Sequence, residues 1–138
     1  MNYWIGILGL KNSLNRFVDG QDTWFCLPLK SAVQDKLLMY VTRRLSEKSN
    51  GFFAAWEVIS RDPEKDSECT RYGSHGINLY RVNVRQVSKF NQNITLKELK
   101  KEPLFKTSSF VTKNAQGTVF QLSEEQYKWI LNTGISGS

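Results

Sequence analysis

The sequence predicts an α+β fold in which one curved sheet, antiparallel or mixed, carries small helices at its periphery. Strand-like segments outnumber helical ones, and short, hairpin-like links join most of them. No segment between strands is long enough for the crossover helices of a doubly wound parallel sheet. With 138 residues, 40% of them hydrophobic and 12% aromatic, the chain is expected to form one domain with a sizeable core.

Six segments favour strands because apolar runs or two-residue alternation end at turn residues. These segments are 3–8, 23–27, 36–41, 52–59, 80–85 and 118–122. The first is apolar throughout and is typical of a strand buried on both faces. In the fifth, Tyr80, Val82 and Val84 alternate with polar residues, which predicts one packed and one polar, basic face.

Three segments favour helices. Residues 11–17 place apolar side chains on one helical face before Asp19-Gly20 ends the segment. Thr95-Leu96-Lys97-Glu98 and Ser123-Glu124-Glu125-Gln126 are capping boxes, each of which opens a helix.

Three further segments are expected to lack regular structure. Residues 61–76 predict one long loop, and loops of that length are mostly functional or mobile. Residues 105–117 predict irregular chain, and residues 133–138 predict a flexible tail or the start of a linker. The predicted domain therefore spans residues 1–132.

Composition narrows the class of protein. The net charge of +6 and a sequence pI near 9.4 suit an acidic partner such as nucleic acid. No run approaches the ~20 apolar residues that span a bilayer, and no secretory signal is visible, so we expect a cytoplasmic protein with no membrane partner.

Catalytic and metal motifs are missing from the sequence. It has no HExxH, CxxC, P-loop or GxGxxG pattern, so we expect no cofactor, no metal and no catalysis within this chain. Any nucleophilic site would have to combine the single histidine, His75, with Cys26 or Cys69. Otherwise Cys26 is expected to be a free cysteine that packs as a small buried hydrophobe.

Four segments, taken in order, carry a family resemblance. Asn2–Ile5, Gly51–Val58, Ile94–Leu99 and Gly117–Tyr127 together resemble the EVE domain, a member of the PUA-like superfamily close to YTH domains. The resemblance implies a curved PUA-like sheet or small β-barrel flanked by short helices, with a pocket for one flipped base. It also implies a reader of methylated DNA, as in the specificity domains of modification-dependent restriction systems.

The same resemblance implies where the pocket lies. Trp24 matches the cage tryptophan that follows the first helix in YTH-like domains, and Tyr72 is the candidate for the second wall. The remaining candidates comprise backbone groups, polar contacts and one further wall: Phe25, Cys26, Asn12, Ser13 and Trp4. Without the family, Trp24 and Trp4 fit a core equally well, and Asn12 and Ser13 fit a helix N-cap.

Basic side chains are candidates for phosphate contacts, with solvated surface as the alternative role. They are Arg43, Arg44, Lys48, Arg71, His75, Arg81 and Arg85. The implied partner is nucleic acid with a modified base, together with a fused or associated nuclease or NTPase. Three other functions stay open: a reader of modified RNA, a nucleotide-processing enzyme that uses His75, and a protein-interaction domain.

Overall fold

The computed structural model describes residues 1–9, 11–70 and 79–136. Within them lie six strands: β1 (Tyr3–Leu8), β2 (Thr23–Pro28), β3 (Lys36–Val41), β4 (Gly51–Arg61), β5 (Leu79–Ile94) and β6 (Val119–Leu122). They form one mixed sheet in the order β2-β5-β4-β3-β1-β6. The pair β1–β3 is parallel, and the other neighbouring pairs are antiparallel. The predicted fold class is confirmed.

Five α-helices surround the sheet in the described residues: α1 (Lys11–Val18), α2 (Ser67–Thr70), α3 (Leu96–Leu99), α4 (Ser109–Thr112) and α5 (Glu124–Ser136). Two 3-10 turns, Pro63–Lys65 and Pro103–Phe105, precede α2 and α4. No helix in these ranges is long and apolar enough to cross a membrane.

Apolar clusters cover both faces of the sheet. Alternate residues of β1 belong to different clusters: Ile5 packs with the residues beneath α3, α4 and α5, whereas Trp4 packs with Phe17 of α1. The apolar run of β1 is therefore buried on both sides, as its composition predicts.

The sheet curls until its two edge strands approach each other without pairing. Val119 of β6 packs against the cluster that holds Cys26 of β2, although β2 and β6 are at opposite ends of the strand order. We call the gap between these two edges the seam.

The predicted long loop is partly ordered. Arg61 belongs to β4, and residues 63–70 form a 3-10 turn and then α2. Cys69, fully buried on α2, ties this segment to the sheet, which composition alone did not indicate. Residues 71–76 of that prediction lie outside the described residues.

Two other predicted boundaries differ from the structure. The fifth strand has 16 residues, because it continues to pair with β4 beyond Arg85 and buries Phe90 and Ile94 in the cluster that holds Ile5. In the segment predicted to be irregular, residues 109–112 form α4 around buried Phe110.

The last helix extends to Ser136, four residues past the predicted domain end. It continues because Gly134 packs on Phe90: a Cβ at Gly134 would lie 2.3 Å from Phe90 Cδ2. Residues 137 and 138 lie outside the described part of the chain.

Candidate functional site

A pocket opens at the seam, with a cavity volume of about 70 Å³. Its walls come from both edges of the sheet and from α1: Ile7, Gly9, Ser13, Arg16, Trp24, Phe25, Cys26 and Thr118. The β1 side is fixed by a hydrogen bond from the Ile7 backbone N–H to the Thr118 carbonyl, 3.1 Å long. Three of these residues, Trp24, Phe25 and Cys26, are consecutive on β2, so one edge strand supplies the pocket's aromatic wall.

Trp24 is partly buried, and two guanidinium groups lie against its ring. The Cζ atoms of Arg16 and Arg81 are 3.8 Å and 4.3 Å from the ring centroid, within cation–π range. Arg16 also donates to the Trp24 carbonyl at 2.7 Å and to Thr23 Oγ1 at 3.5 Å. The indole is therefore held between a helix residue and a strand residue that are both cationic.

Arg81 is fixed in the wall of the sheet. Only 9% of the residue is exposed, its backbone N–H donates to Asp66 Oδ1 at 3.0 Å, and its Nε lies 4.0 Å from Asp62 Oδ2. The predicted alternation on β5 placed this side chain on a solvated face. Trp24 on the neighbouring strand and the segment that carries Asp62 and Asp66 cover it instead.

Phe25 and Cys26 form the inner end of the pocket. The Phe25 ring points into the core, where Gly6 of β1 lets it approach the backbone: a Cβ at Gly6 would lie 2.6 Å from Phe25 Cε2. Cys26 is buried and forms a disulfide with Cys69, with 5.5 Å between the Cα atoms. The expectation of a free Cys26 is therefore wrong, because α2 brings a second cysteine against β2.

Sequence reasoning missed four of the lining residues: Ile7, Gly9, Arg16 and Thr118. A signal existed for Arg16, which lies three residues after Ser13 and so shares its face of α1. No such signal exists for Thr118, because closure of the curled sheet, and not a local sequence pattern, brings this residue close to Trp24.

The other aromatic and polar candidates do not all lie at the pocket. Ser13 lines the pocket, whereas Trp4 is 2% exposed in the core and donates from Nε1 to Asp35 Oδ2 at 3.0 Å. Asn12 is in the first turn of α1, and its side chain is outside what the structure describes. Tyr72, the proposed second wall, lies there as well.

Apart from Arg81, the basic candidates for phosphate contacts fall into three groups. Exposed Arg43, Arg44 and Lys48 lie on the β3–β4 turn, next to the end of β1, because the Thr42 backbone N–H donates to the Leu8 carbonyl at 3.3 Å. Arg85 is exposed on β5 and lies 3.5 Å from Asp22 Oδ2. The third group, Arg71 and His75, lies outside the described residues.

The pocket is a largely apolar, aromatic cleft with hydrogen-bond donors at a few positions. None of its described lining residues carries a carboxylate, and Arg16 and Ser13 supply hydrogen-bond donors. In the parts of the chain that the structure describes, no group of three or more histidine, cysteine or acidic side chains could hold a metal. The arrangement suits a planar ligand with acceptor atoms.

Comparison with known proteins places residues 2–133 within the family model of the EVE domain. No curated protein sequence matches the chain at a significant level. Solved structures nevertheless share the fold over almost the whole chain. A hypothetical protein from Leishmania major has 18% sequence identity and a TM-score of 0.66, and the alignment covers 97% of this chain and 94% of that one.

Two further solved structures come from proteins that have names. The human THYN1 protein, solved in complex with DNA containing 5-methylcytosine, has 12% identity and a TM-score of 0.64, with 100% of each chain covered. The N-terminal domain of McrB from Staphylothermus marinus has 12% identity and a TM-score of 0.62, with 96% of this chain and 94% of that one covered. At sequence identities this low, the structural similarity shows a shared fold alone.

Proposed function

Because the chain belongs to the EVE domain family, as its sequence resemblance predicted, we propose that it binds DNA and holds one modified base against Trp24. The base is extruded from the duplex into the seam pocket. The observation that carries the proposal is a partly buried indole that forms one wall of a concavity with cationic groups beside it.

The free energies involved indicate what the pocket and the protein surface each contribute to affinity. Extrusion costs a few kcal/mol, and stacking of a base on an aromatic side chain contributes ~1–3 kcal/mol. The two roughly cancel, so net affinity has to come from contacts to phosphates. Arg43, Arg44 and Lys48, exposed on a turn beside the end of β1, are suited to that role, with Arg85 as a further contact.

A modified cytosine is the ligand that the pocket favours. The carbonyl and ring nitrogen of cytosine are acceptors, and the Ser13 hydroxyl in the pocket lining is a donor that can satisfy one of them. The structural likeness to human THYN1, which binds 5-methylcytosine DNA, supports the same choice.

Binding without catalysis is the proposed activity. The two cysteines are bonded to each other, so neither supplies the thiol that the enzyme alternative requires. His75, the other residue of that alternative, lies outside the described residues. The likeness to the N-terminal domain of McrB supports a role as specificity domain in a modification-dependent restriction system, with a nuclease or NTPase as fused or separate partner.

The test is a set of labelled duplexes that differ at one position, with cytosine, 5-methylcytosine, adenine or N6-methyladenine, in DNA and in RNA. Fluorescence anisotropy should give the tightest dissociation constant for 5-methylcytosine DNA. Because a buried methyl group contributes ~0.8 kcal/mol, the preference over cytosine should be about fourfold or more. Affinity should also fall steeply as salt rises.

Three results would count against the proposal. Equal affinity for all the duplexes would show that the pocket does not read the modification. Tighter binding of methylated RNA would favour the RNA-reader alternative. Affinity that does not change with salt concentration would show that phosphate contacts do not contribute to binding.

A further inference from the structure

Arg16 occupies the place on Trp24 where a base would stack. Its guanidinium Cζ lies 3.8 Å from the centroid of the indole, which is the spacing of direct stacking. The hydrogen bond to the Trp24 carbonyl, at 2.7 Å, holds it there. A base that stacks on this ring therefore competes with the guanidinium for the same surface.

The size of the pocket, which Arg16 helps to line, agrees with this conclusion. Its volume of about 70 Å³ is roughly half of the ~150 Å³ cavity that admits benzene, a single six-membered ring. A pyrimidine needs at least that much room, so a lining group has to move before it can enter.

Of Arg16 and Arg81, Arg16 is the cation that lines the pocket. Arg81 is 9% exposed, lies within the sheet and approaches Asp62, whereas Arg16 is partly exposed on α1 at the edge of the pocket. Rotation of the Arg16 side chain would clear one part of the indole without breaking any strand pairing.

We propose that Arg16 gates the pocket: it covers Trp24 in the free protein, and it moves to a phosphate of the DNA backbone when the base enters. The inference rests on the proposed function and assigns to Arg16 the coupling between insertion and backbone contact. This coupling makes insertion of the base favourable when a phosphate lies near enough to receive the displaced guanidinium.

A nucleoside separates the two roles because it carries a base and no phosphate. 5-Methyl-2′-deoxycytidine can be titrated by NMR into the full chain, its Arg16→Ala variant and its Arg16→Gln variant. If the gate is closed most of the time, its removal raises the competent fraction, and both variants should bind the nucleoside about threefold to tenfold tighter. For the 5-methylcytosine duplex, both should show a smaller dependence of affinity on salt.

Lys128→Ala is the matched control. Like Arg16, Lys128 is a cation on a helix, but it lies on α5, where it pairs with Glu124 at 3.1 Å. Its loss should leave nucleoside affinity unchanged. Tighter nucleoside binding in the two Arg16 variants, and not in Lys128→Ala, supports the gate.

Weaker or unchanged nucleoside binding in folded Arg16 variants would overturn the gate and leave the proposed function standing, since wild-type protein would still bind through Trp24. If the nucleoside binds neither wild-type protein nor variants, while the duplex screen also shows no preference, the proposed function fails together with the gate.

Discussion

Asp35 is the residue whose burial demands most from its neighbours. It is 1% exposed, and its carboxylate accepts hydrogen bonds from the backbone N–H groups of Asn2 and Ala32, at 2.9 Å each, and from Trp4 Nε1. Burial acts to raise its pKa, but these hydrogen bonds outweigh burial and hold the pKa below the usual value. The carboxylate thereby pins the turn before β3 to the start of β1.

A depressed carboxyl pKa gives a defined pH dependence. The ionised form stabilises the fold above the usual Asp pKa of about 4, and that contribution is lost as the pH falls through the lower folded pKa. Urea unfolding between pH 7 and pH 2.5 should therefore show a steeper acid loss in wild-type protein than in Asp35→Asn. At pH 7 the variant should be less stable by about 1–3 kcal/mol, because it disturbs a buried hydrogen-bonded group.

Parallel acid profiles for the two proteins would contradict this assignment. Other carboxylates contribute to the acid loss in both proteins, so the difference between the two curves isolates Asp35.

At the residue scale, sequence reasoning identified the main aromatic residue of the pocket but not all of the residues that surround it. Trp24 was found through the family pattern and does line the pocket. Trp4 was expected mainly to pack in the core, and it lies there in the cluster with Phe17; its hydrogen bond to Asp35, 31 positions away, could not be predicted from local sequence. Arg16 was missed for the same reason: its contact with Trp24 depends on how α1 docks.

At the scale of elements, Gly6 allows β1 and β2 to approach across the inside of the curled sheet. An added Cβ would lie 2.6 Å from Phe25 Cε2 and 3.0 Å from Met39 Cε. The flexible end of Met39 can yield, but the Phe25 ring would have to leave its packed position, so Gly6→Ala should destabilise the fold by about 1–3 kcal/mol.

Gly9 offers the matched control, because a Cβ there would meet no described atom within 4 Å. Urea unfolding at pH 7 should place Gly9→Ala close to wild-type protein and Gly6→Ala well below it. Equal stability of the two variants would show that the Phe25 ring is not held against β1.

Locally encoded elements were predicted well. The second capping box forms as expected: the Gln126 N–H donates to Ser123 Oγ at 3.1 Å, and the Ser123 N–H to Gln126 Oε1 at 3.0 Å. In the first box, the Thr95 N–H donates to Glu98 Oε1 at 3.4 Å. By contrast, the length of β5 and the order in α2 depend on distant partners, α5 and the Cys26–Cys69 disulfide.

At the scale of the whole molecule, the seam is the feature that local sequence could not supply. It exists because six strands curl until β2 and β6 face each other, and its lining residues range in sequence from Ile7 to Thr118. The disulfide adds to this closure by joining β2 to α2, with 43 positions between its cysteines. Only the family resemblance pointed to a pocket at this place.

The central claim is that the indole of Trp24 stacks a base drawn out of DNA, and one titration tests it most directly. Wild-type protein, Trp24→Phe and Trp24→Ala, each shown to be folded by circular dichroism, are titrated against the 5-methylcytosine duplex. Trp24→Ala should bind more weakly by ~1–3 kcal/mol, and Trp24→Phe, which keeps an aromatic face, by less. A dissociation constant that stays the same in all three proteins would contradict the account.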